Sequence, residues 1–234
     1  MNFLVIQHLD IEPPALIGDT LEQAGHQLTR IHLDQGNLIP AATDFDGIII
    51  MGGPQSANND TDYILAELAW LKKAIAADIP MLGICLGAQM IAKAAGADIF
   101  TSPVRELGWF PVYHTDEAVT DPLFCQMPNA LAVFQWHGET FSFTDAMAAV
   151  AMHPDVPAQA FRLGKSQYGL QFHVEIDQSI IEGWIAHGEN ERKHLDPGGI
   201  KLLHKNTTLY LESMRQFCKQ MVHAWLMDIN HKIR

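Results

Sequence analysis

Three stretches near the start of the chain carry almost no polar side chains: Phe3–Leu9 (FLVIQHL), Asp46–Met51 (DGIIIM) and Ile79–Ile84 (IPMLGI). A strand with one wet face alternates apolar and polar residues, so a continuous apolar run implies burial on both faces. A parallel sheet has such strands, and its strands need crossover connections, usually helices. The intervening segments supply them. Pro13-Pro14 opens a helix running to Gly25, because proline is tolerated in a first turn and glycine suits a C-terminal stop. His26–Leu33 reads as another strand. Asp62–Ala77 places Ile64, Leu65, Leu68, Leu71 and Ile75 at helical spacing. Leu86–Ala95 reads as a further helix, stopped near Gly96. The first hundred residues therefore predict an α/β fold with a doubly wound, mostly parallel sheet flanked by helices.

The pattern then changes. Trp109–Tyr113, Glu117–Thr120, Ala130–Gln135 and Ala148–Met152 are short and separated by turns, as antiparallel strands are. Gln159–Leu163 and Tyr168–Phe172 flank Gly164-Lys165-Ser166-Gln167 and read as a hairpin. These segments predict a smaller antiparallel region. Asp177–His187 is a helix. Glu189–Lys205 is polar, contains Pro197-Gly198-Gly199, and reads as an irregular surface connection. Thr207–Asn230 is a long terminal helix. Its apolar stripe of Leu209, Met214, Phe217, Met221, Trp225 and Leu226 fits either the protein's own core or a partner surface. No linker divides the chain, so residues 1–234 read as one domain, with 189–234 as a C-terminal extension.

Hydrophobic residues make up 48% of the chain, enough for a sizeable core. The balance of 15 basic against 27 acidic residues argues against a nucleic-acid or anionic-membrane partner, because phosphate binding needs a basic face. The apolar run at the N-terminus is too short for a signal peptide, and no segment approaches the ~18 apolar residues of a membrane span. Cys85, Cys125 and Cys218 are far apart and odd in number, so neither a disulfide framework nor a Cys-x-x-Cys metal pair is expected. A cytoplasmic protein without metal or cofactor is the expectation.

Cys85 stands out. It follows an apolar strand and precedes a helix, where open α/β sheets bind ligands. Gly83 and Gly87 flank it, as if to allow a tight, strained turn like the nucleophile elbow of hydrolases. The helix starting at Leu86 aims its N-terminus at the sulfur, where the dipole favours negative charge. It also offers the Leu86 N–H to a developing oxyanion. A nucleophilic thiol needs a base, and the base needs an orienting group. Gln171-Phe-His-Val-Glu-Ile176 supplies both, since His173 and Glu175 share a face in extended chain. Met51-Gly-Gly-Pro-Gln-Ser56 ends another apolar strand, and a glycine N–H of that turn could complete the oxyanion hole with that of Leu86. Each piece alone also has a plain structural reading: a packed thiol, a solvated pair, a strand-ending turn.

In this order, GGPQS (Gly52–Ser56), GICLGAQ (Gly83–Gln89) and FHVEI (Phe172–Ile176) resemble the motifs of the class I glutamine amidotransferases. Gln135-Trp-His-Gly-Glu139 resembles that family's glutamine-pocket segment. Val104–Trp109 resembles the segment after the nucleophile helix in its GMP-synthetase-like branch. The resemblance spans roughly residues 3–188 and implies a flavodoxin-like sheet. It further implies that Cys85 attacks the side-chain amide carbon of glutamine, with His173 moving the proton and Glu175 orienting His173. The N–H groups of Gly53 and Leu86 would form the oxyanion hole, and Gln89, His137 and Gly138 would contact substrate. Water would then hydrolyse a γ-glutamyl thioester. The chain has Val174 where the family often has proline, and Glu139 where it often has aspartate or tyrosine. Glu139 leaves the choice of γ-glutamyl compound open.

Only 46 residues follow Gly188 in a chain of 234, fewer than an ATP-using domain needs, and no P-loop motif occurs. The expectation is a stand-alone glutaminase-type domain, with a separate synthetase subunit as possible partner. A hydrolase of γ-glutamyl peptides or conjugates would use the same triad. A catalytically silent binding protein is a third reading, against which the intact Cys85, His173 and Glu175 argue.

Overall fold

The computed structural model describes residues 1–233. Nine strands form one sheet: β1 (Asn2–Gln7), β2 (Gln27–His32), β3 (Gly47–Ile50), β4 (Met81–Ile84), β5 (Ile99–His114), β6 (Ala130–Phe141), β7 (Met147–Met152), β8 (Ala160–Leu163) and β9 (Gln167–Leu170). Their order is β2-β1-β3-β4-β9-β8-β7-β5-β6. The strands from β2 to β9 pair in parallel, and those from β9 to β6 antiparallel. The antiparallel strands thus continue the parallel sheet.

Period-two alternation sends the apolar runs to both faces. Phe3, Val5, Ile49, Leu82 and Ile84 pack in one core layer, Leu4, Ile6, Ile48, Ile50 and Met81 in the other. Helices α1 (Ala15–Gln23) and α6 (Pro197–Ile233) cover the first face, α2 (Asp62–Ala76) and α3 (Leu86–Ala94) the second. Helices α4 (Gln178–His187) and α5 (Glu189–His194) connect β9 to α6.

Three expectations are corrected. Glu189–Lys205 is helical: it holds α5 and the start of α6. Asp196 accepts the Gly199 N–H on its side chain at 2.6 Å, and Pro197 occupies the first helical position. Asp-Pro here is an N-cap and a helix start, whereas Pro-Gly-Gly suggested a turn. Glu117–Thr120 is a 3-10 turn, begun when Thr115 receives the Ala118 N–H on its hydroxyl at 3.2 Å. Trp109–Tyr113 is the end of a sixteen-residue strand. That strand looked short because its register on β6 shifts between Thr101 and Glu106, around Pro103, which has no N–H to give a ladder.

The long helix uses its stripe internally. Met214, Phe217, Met221, Trp225 and Leu226 are buried in the first core layer, while Leu209 is exposed. Trp225 gives its Nε1–H to the Ser166 carbonyl at 3.2 Å, and Arg215 bonds the Ile176 carbonyl at 2.9 Å. Among the described residues no helix is long and apolar enough to cross a membrane.

Candidate active site

The parallel pair β4–β9 brings the two halves of the site together. Gly83 is in register with Gly169 and Ile84 with Leu170, and the Cys85 N–H bonds the Leu170 carbonyl at 2.8 Å. The chain leaving β9 runs through Gln171 to His173, whose N–H hooks onto the Phe134 carbonyl of β6 at 2.8 Å. Two stretches nearly ninety residues apart thereby meet at the carboxyl ends of neighbouring strands.

Cys85 has φ 51° and ψ −108°, a left-handed conformation that side chains with a Cβ rarely adopt. Neither Gly83 nor Gly87 has a positive φ. The strain sits in the cysteine, and the glycines serve close packing. A methyl on Gly83 would fall 2.6 Å from the Gly87 carbonyl, and one on Gly87 would collide with the Ile50 carbonyl oxygen. The glycines spare the tight turn its Cβ clashes, as the sequence leads one to expect, while the positive φ belongs to the cysteine. Their small size lets α3 settle directly onto β3 and β4, which aims the N-terminus of α3 and the sulfur into a cleft.

That cleft has a volume of about 910 Å³, within the range of small-molecule sites. Cys85, Leu86, Gln89, Gly53, His137, Gly138 and His173 all line it. Glu175 lies behind His173, 1% exposed, with Oε1 2.8 Å from His173 Nδ1 and Oε2 taking the Val174 N–H at 2.9 Å. The imidazole also packs edge-on against Trp184, centroids 4.6 Å apart. Burial alone would depress the His173 pKa. The Glu175 carboxylate and the hydrogen-bonding Cys85 thiol outweigh it and hold the value well above the ordinary imidazole range. With Nδ1 tied to Glu175, Nε2 is the nitrogen left to exchange a proton with Cys85.

Gln171, which sequence reading passed over, gives its amide N–H to Cys85 Sγ at 3.8 Å and accepts from Gln89 Nε2 at 3.1 Å. Gln89 Nε2 also bonds the Glu139 carbonyl at 3.0 Å. Both amide N–H groups of Gln89 are thus committed, and its carbonyl oxygen is what it can offer a ligand. His137 is equally tied down. Its Nδ1 lies 2.9 Å from the Glu139 carbonyl, and its Nε2 is 3.0 Å from Glu106 Oε2, an ion-pair distance too bent for a hydrogen bond. It holds the pocket segment in shape. A methyl placed on Gly53 would touch Leu86 Cδ2 at 3.0 Å, so the GGP turn lies against the start of α3. Among the described residues neither the Gly53 nor the Leu86 N–H is given to a protein acceptor. The arrangement can therefore present two N–H donors, a thiol and a carboxylate-oriented imidazole to one carbonyl group.

Behind the GGP turn, His8 and Glu67 are both 0% exposed, with Nε2 2.8 Å from Oε2. His8 Nδ1 meets the Met51 carbonyl at 3.1 Å, which fixes the peptide leading into Gly52.

Glu12, another residue that sequence reading missed, is half-buried at the cleft wall. Its carboxylate presses on Gly52: a methyl there would collide with Glu12 Oε2 and lie 3.3 Å from His173 Cε1. Burial above all, opposed by His173 and helped by the Glu175 carboxylate, raises the Glu12 pKa from 4.5 to about 7. Between those values the folded state binds the extra proton. The stability this group contributes is full below pH 4.5 and is lost as pH rises through 7. Glu12→Gln should therefore stabilise the protein at pH 8 by about 1–2 kcal/mol, after discounting for partial exposure. At pH 4.5 it should change little. Melting curves of both proteins across this range check it, and a constant difference would refute the assignment.

The family model for class-I glutamine amidotransferases matches residues 15–183. A Salmonella typhimurium protein named glutamine amidotransferase-like protein YfeJ is 31% identical over 176 residues, 73% of this chain and 74% of that one. A glutamine-hydrolyzing GMP synthase of Neisseria meningitidis is 33% identical over 132 residues, 56% of this chain but only 24% of the synthase. In solved structures, a glutamine amidotransferase from Methylobacillus flagellatus superposes with a TM-score of 0.88 at 25% identity, covering 97% of this chain and 94% of that one. One from Thermotoga maritima gives 0.86 at 26%, covering 96% and 97%. Motif order, sheet topology and these matches agree, and the chain belongs to the class I glutamine amidotransferases, a family of cysteine-nucleophile amidotransferases.

Proposed function

We propose that this protein hydrolyses the side-chain amide of glutamine through a Cys85–His173–Glu175 triad, giving glutamate and ammonia. The observation that carries the reading is the 2.8 Å bond from Glu175 to His173 Nδ1, on a ring whose other side meets Cys85. His173 takes the thiol proton as sulfur attacks the amide carbon, and returns it to departing ammonia. The N–H groups of Gly53 and Leu86 receive the oxyanion. Water, deprotonated by His173, then cleaves the γ-glutamyl thioester. Gln89 and Gly138 hold substrate, and His137 supports the wall they belong to. The chain works as one catalytic domain, because α6 covers the sheet that carries the site.

The ammonia acceptor would be a separate synthetase subunit, by analogy with the glutamine-hydrolyzing synthases of which this chain matches a quarter. A second reading is hydrolysis of γ-glutamyl peptides or conjugates. The cleft volume of about 910 Å³ favours it, because that leaves room for a leaving group larger than ammonia.

A panel of glutamine and γ-glutamyl dipeptides separates the two. Dipeptides winning by orders of magnitude would overturn the first reading. An electrophilic glutamine analogue should label Cys85. Cys218 is buried with its pKa pushed well up by burial, so it should stay inert. Label found only on the exposed Cys125 would refute the nucleophile assignment.

A further inference from the structure

Two glycines in a row do not hold a backbone N–H in one direction by themselves, because neither has a Cβ to restrict its torsions. An oxyanion donor, however, works only if its direction is set before the reaction. In this fold the constraint comes from behind the turn. His8 directly follows β1 and grips the stretch from Met51 to Gln55 at three points. Its Nδ1 meets the Met51 carbonyl at 3.1 Å. Its own carbonyl receives a Gln55 Nε2 hydrogen at 3.2 Å. Between these two bonds its Cβ stands against Gly53, where an added methyl would lie only 2.7 Å away. The chain is thus fastened on both sides of the Gly53 N–H.

The grip is itself held. A carbonyl oxygen only accepts, so His8 Nδ1 carries a hydrogen and Nε2 is left to face Glu67. Glu67 Oε2 lies 2.8 Å from Nε2, with both side chains 0% exposed. The other buried positions of α2 are Ile64, Leu68, Leu71 and Ala74, so Glu67 is the one charged group on that face. Its Oε1 has no hydrogen-bond partner among the described residues. Burial alone would lower the His8 pKa. The Glu67 carboxylate outweighs it and draws the ring toward the form in which both nitrogens donate. Such a pair carries a desolvation cost that apolar side chains of similar volume avoid, so packing alone does not account for it. What the pair provides is a ring that cannot swing, because any rotation breaks the Met51 and Glu67 contacts together.

We propose that His8 and Glu67 are positioning residues for the reaction: Glu67 locks the His8 ring, and His8 sets the Gly52–Gly53 peptide so that the Gly53 N–H points at the developing oxyanion. Neither side chain lines the cleft, so neither touches substrate. The inference rests on the proposed hydrolase reading for the role of the Gly53 N–H. Its effect is confined to the moment when charge develops on the amide oxygen, so it bears on kcat and spares substrate binding.

The test compares His8→Gln with His8→Asn. Glutamine puts an amide N–H near the place of Nε2 and keeps the Glu67 contact. Asparagine puts one near the place of Nδ1 and keeps the Met51 contact. Steady-state ammonia release from glutamine, or from whichever γ-glutamyl amide the wild type turns over, is read beside alkylation of Cys85 by iodoacetamide. Alkylation displaces iodide at a saturated carbon and forms no oxyanion, so it reports the thiol and His173 alone. His8→Gln should lower kcat by about ten- to hundredfold, somewhat less than removing an oxyanion donor outright, with KM within about twofold of wild type. His8→Asn should rescue most of the turnover, and both variants should alkylate Cys85 at the wild-type rate. Wild-type kcat in His8→Gln, equal losses in the two variants, or alkylation falling in step with turnover overturns the proposal. Should the His8 variants fail to fold, Glu67→Gln and Glu67→Leu repeat the comparison. The amide can give an N–H to Nε2 and should retain turnover, whereas leucine frees the ring and should lower kcat; equal kcat in these two overturns the proposal. A wild type that turns over no γ-glutamyl amide fells the hydrolase reading and this one together, while turnover indifferent to His8 and Glu67 fells this one alone.

Discussion

Cys85→Ala is expected to lower ammonia release from glutamine by at least about 10⁴-fold, the scale on which a nucleophile is missed when its base and oxyanion donors remain. The protein should stay folded, because the change removes one buried sulfur whose hydrogen-bonding partners are the Gln171 amide and the His173 ring. The backbone sharpens the test. At φ 51° and ψ −108°, any residue with a Cβ carries about 1–3 kcal/mol of strain. Cys85→Gly should relieve it and be at least as stable as Cys85→Ala, while equally inactive. Thermal unfolding of the two variants, read beside their ammonia release, decides the matter. Substantial activity in either variant would remove Cys85 from the mechanism. A glycine variant clearly less stable than the alanine variant would show that the cysteine conformation is unstrained.

The second large effect concerns Gly87→Ala. The added methyl would overlap the carbonyl oxygen of Ile50. Ile50 ends β3, which is held between β1 and β4, so the sheet cannot yield without breaking ladder bonds. Helix α3 must lift instead, and it carries Leu86, Gln89 and the setting of Cys85. We expect a loss of about 3 kcal/mol or more, since backbone cannot repack as a side chain can. That corresponds to a fall in Tm of about 6–12 °C for a chain of this size. Gly183→Ala is the matched control. Gly183 lies within α4 with nothing within 4 Å of an added methyl. It should gain about 0.5–1 kcal/mol from helix propensity. Equal behaviour of the two variants would show that the close approach of α3 to β3 is unimportant.

Much of the site was legible because its parts are local. An apolar run, a glycine pair around a thiol, and a His and Glu two apart just past a strand each declare themselves within a few residues. The N-terminal half of the fold was legible for the same reason, since helix and strand periodicities are written between near neighbours. The errors at Glu117–Thr120 and Glu189–Lys205 arose where a single cap decided the outcome: Thr115 in one case, Asp196 in the other. Helix caps and turns draw on the same residue types, Ser, Thr, Asp and Asn among them, so a cap is easily taken for a turn.

The sequence by itself singled out Cys85, His173 and Glu175 as candidates, and determined the alternation of strand and helix that sets them at the ends of a parallel sheet. The tertiary structure decided the rest. It put the strain in Cys85 and gave Gly83 and Gly87 their role as places of close approach. It hung Gln171 on the sulfur, pressed Glu12 against Gly52, and set His8 behind the GGP turn. Periodicity and turn chemistry depend on neighbours along the chain, whereas these contacts depend on strand register and on which faces meet, which exist only once the sheet has formed.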